Sequence, residues 1–230
     1  MKFSSSWSGA IKTSVVVAVS QGKFITFEGG EGAGKSTQIK MLSEYLKNQH
    51  EDVILTREPG GSAGAEELRR LLVEGEPGRW DGITEALLHF AARRDHVERT
   101  IRPALARGAW VLCDRFVDST FAYQGYGHQI SHDIIKTLWN IAIGEFAPDL
   151  TLILDVPVKV GLSRAASRGE GGERYERMDI KFHQRLRDGF LAIANDHPAR
   201  CALINADRDI EIIGRNILSI VSERLSVTSS

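Results

Sequence analysis

No stretch constrains the chain more than Gly29-Gly30-Glu31-Gly32-Ala33-Gly34-Lys35-Ser36-Thr37, which matches G-x-x-x-x-G-K-[ST]. Its meaning depends on its flanks. Residues 23–28 (Lys-Phe-Ile-Thr-Phe-Glu) read as a buried strand, and residues 35–47 have helical spacing, with Ile39, Leu42 and Leu46 on one face. A loop between a strand and a helix is the context this pattern requires. Its glycines let backbone N–H groups turn inward, and the helix N-terminus adds partial positive charge. Polyphosphate is therefore the expected ligand. Lys35 is expected to reach the β- and γ-phosphates, and Ser36 to offer its hydroxyl to Mg²⁺, a hard ion that keeps several waters and borrows substrate oxygens. The competing reading is a glycine-rich turn with no ligand, and the flanks argue against it.

Length and composition narrow the class. The chain has 230 residues, 42% hydrophobic and 26% charged, which is enough for one substantial core and shows no disorder signature. A formal net charge of −1 gives no basic excess for a general nucleic-acid footprint. Cys113 and Cys201 lie far apart in apolar runs and read as small buried hydrophobes rather than zinc ligands. No apolar stretch is long enough to span a bilayer. Residues 1–21 are Ser-rich with a short apolar run, and an unstructured leader is the expectation there; residues 22–226 are expected to form a single domain. A loop served by ATP, together with unpaired cysteines, favours the cytoplasm.

The rest of the chain alternates strands and helices. Strands are expected at residues 52–56, 110–113, 150–155 and 202–205, and helices at residues 64–74, 84–106, 130–143, 160–168, 178–195 and 210–225. Continuous apolar strands separated by helices mean an α/β fold with a parallel sheet covered on both faces. Two strands end in charge. The second runs into Arg57-Glu58-Pro59-Gly60-Gly61, where Arg57 either lies at the ligand-binding carboxyl edge of the sheet or is a solvated Arg beside an ordinary turn. The third ends in Asp114-Arg115, which forms either a structural pair or a ligand contact. In the latter case Asp114 would hold Mg²⁺ through water and Arg115 would clamp a phosphate. Residues 117–127 (Val-Asp-Ser-Thr-Phe-Ala-Tyr-Gln-Gly-Tyr-Gly) mix hydroxyl, amide and aromatic groups suited to a nucleoside. His89, Phe90 and Arg93 occupy the middle of the long helix, and an aromatic and an Arg three or four residues apart can share a face that holds a planar base.

Phosphoryl transfer fits this inventory better than other chemistries. The seven histidines form no H-E-x-x-H pair, and nothing pairs a nucleophile with a base. None is needed when the acceptor is itself a phosphate, because its second pKa of about 6 leaves it largely a dianion at neutral pH. A GTP-dependent switch would carry D-x-x-G and N-K-x-D, and neither occurs in the chain. A regulatory ATPase remains the other class, distinguished by nucleotide binding without acceptor-dependent turnover.

The loop, Arg57-Glu58-Pro59-Gly60-Gly61, Asp114-Arg115-Phe116, Asp118-Ser119-Thr120, Ala122-Tyr123-Gln124-Gly125 and the Arg-Gly-Glu segment at Arg168 recur in order in bacterial thymidylate kinases. The chain resembles that family from about residue 23 to 225. The resemblance implies a P-loop kinase fold with a five-stranded parallel sheet, transfer of the ATP γ-phosphoryl group to dTMP, and a homodimer. It implies acceptor-phosphate clamps at Arg57 and Arg115, a thymine contact at Arg93, base-lining positions at Ser119 and Gln124, an aromatic beside the sugar C2′ at Tyr123 and an acidic loop position near the acceptor sugar at Glu31. With no Arg in the phosphate loop, the catalytic Arg is implied to lie in a lid around residues 164–177, with Arg168 first and Arg174 second, and Arg164 matches a position against the adenine. The position of the usual thymine-stacking Phe holds His89 here, with Phe90 one place along. Four-residue spacing to Arg93 favours His89 on the ligand face and Phe90 in the core.

Overall fold

The five apolar runs become strands of one sheet, buried on both faces in its three central strands and partly exposed at its two edges, where Leu55 and Leu203 reach the surface. The computed structural model describes residues 22–76, 78–167 and 174–225. The expected leader and residues 168–173, including Arg168, lie outside the described residues. The strands are β1 (Phe24–Glu28), β2 (Val53–Arg57), β3 (Trp110–Asp114), β4 (Leu150–Asp155) and β5 (Cys201–Asn205). They form a parallel sheet in the order β2-β3-β1-β4-β5, with Thr26 of β1 opposite Cys113 of β3 and Thr151 of β4. All five residues of β1 are buried, as a central strand requires.

Side-chain alternation along the strands sorts the core into layers. Ile25, Phe27, Leu112, Leu152 and Leu154 face α1 (Lys35–Asn48) and α9 (Ile210–Leu225), meeting Ile39, Leu42, Leu46, Ile213 and Ile217. Phe24, Val111 and Cys113 face the other way, against α3 (Gly82–His96), α4 (Arg102–Ala106) and α6 (His132–Ile143) through Phe90, Ala104 and Ile135. Ile153 and Cys201 pack on α8 (Ile180–Asp196) through Phe182, Leu186 and Phe190. Both cysteines are buried and free. The remaining helices are α2 (Ala63–Val73), α5 (Val117–Thr120) and α7 (Val158–Ala166).

Two stretches take forms that the sequence pattern did not specify. The helix expected over 84–106 is interrupted by a π-helical turn at Val97–Ile101 between α3 and α4. The nucleoside-suited stretch 117–127 is itself helical, with α5 running into a π-helical turn at Phe121–Gly127. Glycines make that stretch a poor local helix former, but they permit close packing on α8. A Cβ on Gly127 would meet the Phe182 ring, and one on Gly189 would meet Tyr126.

Crossovers leave β1 in opposite directions, first towards β2 and β3 and then towards β4 and β5. The carboxyl end of β1 is therefore the point where open α/β sheets bind ligands. Glu28, Arg57, Asp114 and Asp155 end four neighbouring strands there.

Candidate active site

The loop after β1 is shaped by close backbone approach. Gly32 has φ +65, and a Cβ there would collide with the carbonyl oxygen of Gly161 in α7. Gly34 caps α1 in the left-handed region at φ 87. The first turn of α1 carries no acidic residue, so its N–H groups and dipole are left to attract an anion. Lys35 is 7% exposed and arches back to donate to the carbonyls of Gly29 (3.2 Å) and Gly30 (3.1 Å). Burial and the neighbouring Arg115 lower its pKa, against the opposing pull of Asp114, Glu31 and Glu28. Ser36 donates from Oγ to Asp114 Oδ2 at 3.0 Å, which joins the loop to the end of β3.

Arg115 follows β3 with φ +68, a conformation that costs a non-glycine residue about 1–3 kcal/mol unless its surroundings hold it. They do. Its guanidinium donates to the Gly29 carbonyl (2.9 Å) and to Glu31 Oε1 (2.9 Å), and it lies over the Tyr123 ring at 5.0 Å. Burial alone would raise the pKa of Glu31, but Arg115, Lys35 and a hydrogen bond from the Tyr123 hydroxyl together hold it down to about 2. Beneath this layer Glu28 accepts from the Phe116 N–H (2.7 Å) and from the Ser119 hydroxyl (2.6 Å), tying the start of α5 to β1. Arg57 pairs with Glu66 at 3.1 Å with more than half its side chain exposed, so its surface pairing contributes little stability.

The base-side residues form a second network. Burial and the nearby Arg93 and Arg174 push the pKa of His89 down to about 3, so its ring is neutral. Its Nε2 meets the Tyr175 hydroxyl at 3.2 Å. Arg93 is almost fully buried, bonded to Glu58 Oε2 (2.7 Å) and the Phe116 carbonyl (3.0 Å), and packed over the Phe90 and Phe116 rings. Its Nη1 is buried without a protein partner. Glu58 also binds His96 Nδ1 (3.0 Å), whose Nε2 meets Thr56 Oγ1 (2.7 Å).

A cleft of about 260 Å³ brings together Glu31, Gly32, Ala33, Gly34, Lys35, Ser36, Arg57, His89, Asp114, Arg115, Ser119, Tyr123 and Gln124 of the residues singled out from sequence. Others fall elsewhere. Gly29 and Gly30 line a small space behind the loop, beside Asp155, His183 and Arg187. Thr37 and Arg164 lie on the opposite side of the loop, in a shallow depression with Arg208, and Arg164 is bonded to the Ala206 carbonyl and Asp207. Two further candidates do not line the cleft. Phe90, the second aromatic candidate for the base, is 3% exposed in the core with Phe24 and Val111, where helix geometry favoured it, because it projects from α3 about 100° away from His89. Arg174, second candidate for the catalytic Arg, is 2% exposed and held by Glu85, the Leu72 carbonyl and the Tyr175 hydroxyl, so its guanidinium is committed to buried partners. Arg93 stands behind the cleft wall rather than on it. The sequence reading passed over Glu28, Glu58, Arg69, Glu85 and Tyr175. Glu58 lay within a motif already singled out; a buried carboxylate beside an Arg carries no local pattern that marks it.

Comparison with known proteins gives consistent results. The family model described as thymidylate kinase matches residues 27–217. A thymidylate kinase of Caulobacter vibrioides is 54% identical over 209 residues, covering 91% of this chain and all of that protein. One from Bradyrhizobium sp. strain BTAi1 is 53% identical over 207 residues, covering 89% and 92%. Among solved structures, thymidylate kinase from Ehrlichia chaffeensis superposes with a TM-score of 0.73 at 36% identity, covering 87% of this chain and 98% of that one.

Proposed function

The chain belongs to the thymidylate kinase family and has its P-loop kinase fold, and from that premise we propose how its residues divide the transfer of the ATP γ-phosphoryl group to dTMP. The triphosphate lies in the loop, cradled by the backbone N–H groups of residues 29–37, with Lys35 turning from the loop carbonyls to the β- and γ-phosphates. Ser36 and Asp114 suit Mg²⁺, since a hydroxyl and a carboxylate 3.0 Å apart beside the phosphate loop are the kind of oxygen donors that ion takes alongside phosphate oxygens and water. The ion supplies charge neutralisation on the transferring phosphoryl group. Arg164 lies against the adenine.

The acceptor phosphate is held by Arg57 and Arg115, so that a dianionic oxygen attacks the γ-phosphorus in line as the bond to the β-γ bridging oxygen breaks and the electron pair leaves with ADP. His89, Ser119, Gln124 and, from behind, Arg93 hold the base. Tyr123, clamped by Glu31 and Arg115, fills the space that a ribose 2′-hydroxyl would need. Arg168 neutralises charge in the transition state. The observation that carries this reading is the pair of bonds from Ser36 to Asp114 and from Arg115 to Glu31, which put the loop and the acceptor wall on one cleft. A coupled ATP-consumption assay across dTMP, dUMP, UMP, CMP, AMP and GMP tests it: dTMP is expected to respond most strongly, and EDTA to abolish the response. A stronger response to another monophosphate would assign a different acceptor.

A homodimer agrees with the exposed Ile83 and Leu87 on α3 and Ile134 and Ile141 on α6, two helices that pack together. Light scattering tests it. No helix among the described residues is long and apolar enough to cross a membrane, in keeping with a cytoplasmic enzyme.

A further inference from the structure

Glu85 projects from α3 with 1% exposure, and its carboxylate is surrounded by donors. Oε1 pairs with Arg174. Oε2 accepts from Gln124 Nε2 (3.1 Å) and from the Tyr175 hydroxyl (3.2 Å), with His128 Nε2 at 3.4 Å. A carboxylate paired with an Arg only accepts, so Gln124 has to present its NH₂ end to Glu85. The other end of the amide follows from that. Gln124 Oε1 is buried without a protein partner, in a residue that lines the cleft. About two turns along α3, Arg93 Nη1 is a buried donor, also without a protein partner. The open acceptor suits a ring N–H and the open donor a carbonyl oxygen, groups that an imide-containing base carries.

We propose that Glu85 is a specificity-determining positioning residue: by fixing the direction of the Gln124 amide it makes the pocket present an acceptor, and so selects a base with a ring N–H, such as thymine, over cytosine, which offers a lone pair there. The inference rests on the proposed placement of Gln124 beside the acceptor base. Glu85 touches no reacting atom and acts through Gln124. The bland alternative is that Glu85 serves only to neutralise the buried Arg174, in which case it would affect stability and not selectivity.

Two variants separate these roles. Arg174→Lys keeps a cation beside Glu85, so the carboxylate and its bond to Gln124 stay while the Arg contacts are lost. The double variant Glu85→Gln/Arg174→Met carries no unpaired buried charge, and its residue 85 amide can donate to Gln124 Oε1, freeing Gln124 to turn its NH₂ towards the base. The readout is the ratio of kcat/KM for dTMP over dCMP. Arg174→Lys is expected to keep the wild-type ratio within about twofold, and the double variant to lower it by about 10- to 100-fold. Equal ratios in the two variants would overturn the proposal, as would a fall of the same size in Arg174→Lys alone. Gln124→Leu tests the underlying reading separately. If it changes neither dTMP KM nor the ratio, Gln124 is not in the base pocket and the inference falls with that reading. If it lowers the ratio while the double variant does not, the pocket stands and Glu85 does not set its polarity.

Discussion

On the side of the cleft that we propose holds the acceptor, Arg93 with Glu58 and Arg115 with Glu31 are ion pairs whose side chains are all less than a fifth exposed, whereas on the proposed donor side Arg164 and Asp207 pair at 42% and 47% exposure. The donor side relies on main-chain N–H groups of the loop and the first turn of α1, with one buried cation, Lys35. Backbone cradles bind any polyphosphate, since phosphate oxygens look alike. Recognising one base and one sugar takes side chains held in fixed rotamers, and buried charge pairs hold them at the cost of making each member indispensable to its partner. With the proposed roles, acceptor recognition is built into the stability of the fold, while donor binding is largely separable from it.

The largest expected effect tests the exception on the donor side. Lys35→Ala should lower kcat by roughly 10³-fold or more with its melting temperature little changed, since the ammonium is the loop's own side-chain charge for the β- and γ-phosphates. Retention of more than about a tenth of activity would mean that the backbone cradle suffices. Next come the two arginines of the implied lid. Arg168→Ala is expected to cost roughly 10³-fold in kcat with little change in dTMP KM, the pattern of a contact made only in the transition state. Arg174→Ala should act mainly on thermal stability, because its guanidinium is engaged with Glu85. A collapse in kcat for Arg174→Ala with a mild Arg168→Ala would reverse the assignment.

Neighbouring residues on α3 sharpen the acceptor side. Phe90→Ala should destabilise by about 3–5 kcal/mol through loss of core packing, with dTMP KM nearly unchanged in the folded fraction. His89→Ala should raise dTMP KM severalfold and leave stability within about 1 kcal/mol. Because the His89 ring is already neutral, the wild-type pH–activity profile between pH 6 and 8 should lack its titration. Paired melting and kinetic measurements check both.

Acid titration of Glu31 probes the same side more gently. Its folded pKa of about 2 lies below the ordinary value of 4.5, so its ionised form contributes stability above about pH 4.5 that is lost as pH falls towards 2. A displacement of that size corresponds to about 3 kcal/mol, so wild type should exceed Glu31→Gln by up to that margin at neutral pH. The gap should close through the acid range; a constant gap would mean that packing, not charge, accounts for it. The smallest effect belongs to the exposed donor side. Arg164→Ala should raise ATP KM only a fewfold and shift unfolding free energy by less than about 1 kcal/mol, as expected for a half-exposed pair.

Contiguous sequence was sufficient for the parts whose physics is local. The phosphate loop, the five strands and the span of α9 at Ile210–Leu225 follow from glycine placement, apolar runs and helical spacing within a dozen or so residues. The division between His89 and Phe90 also follows, because helix geometry separates adjacent side chains by a fixed angle. The helix at 117–127 did not follow, since its glycines disfavour it locally and tertiary contacts, chiefly with α8, hold it in place. The partners of the buried charges were not legible either. Arg93 finds Glu58 across 35 residues and Glu85 finds the Tyr175 hydroxyl across 90, and nothing nearby in sequence distinguishes Arg93, Glu58 or Glu85 from solvated charges. Only the packed chain removes water from around them, and a buried charge then requires whichever opposite charge the fold has brought within reach.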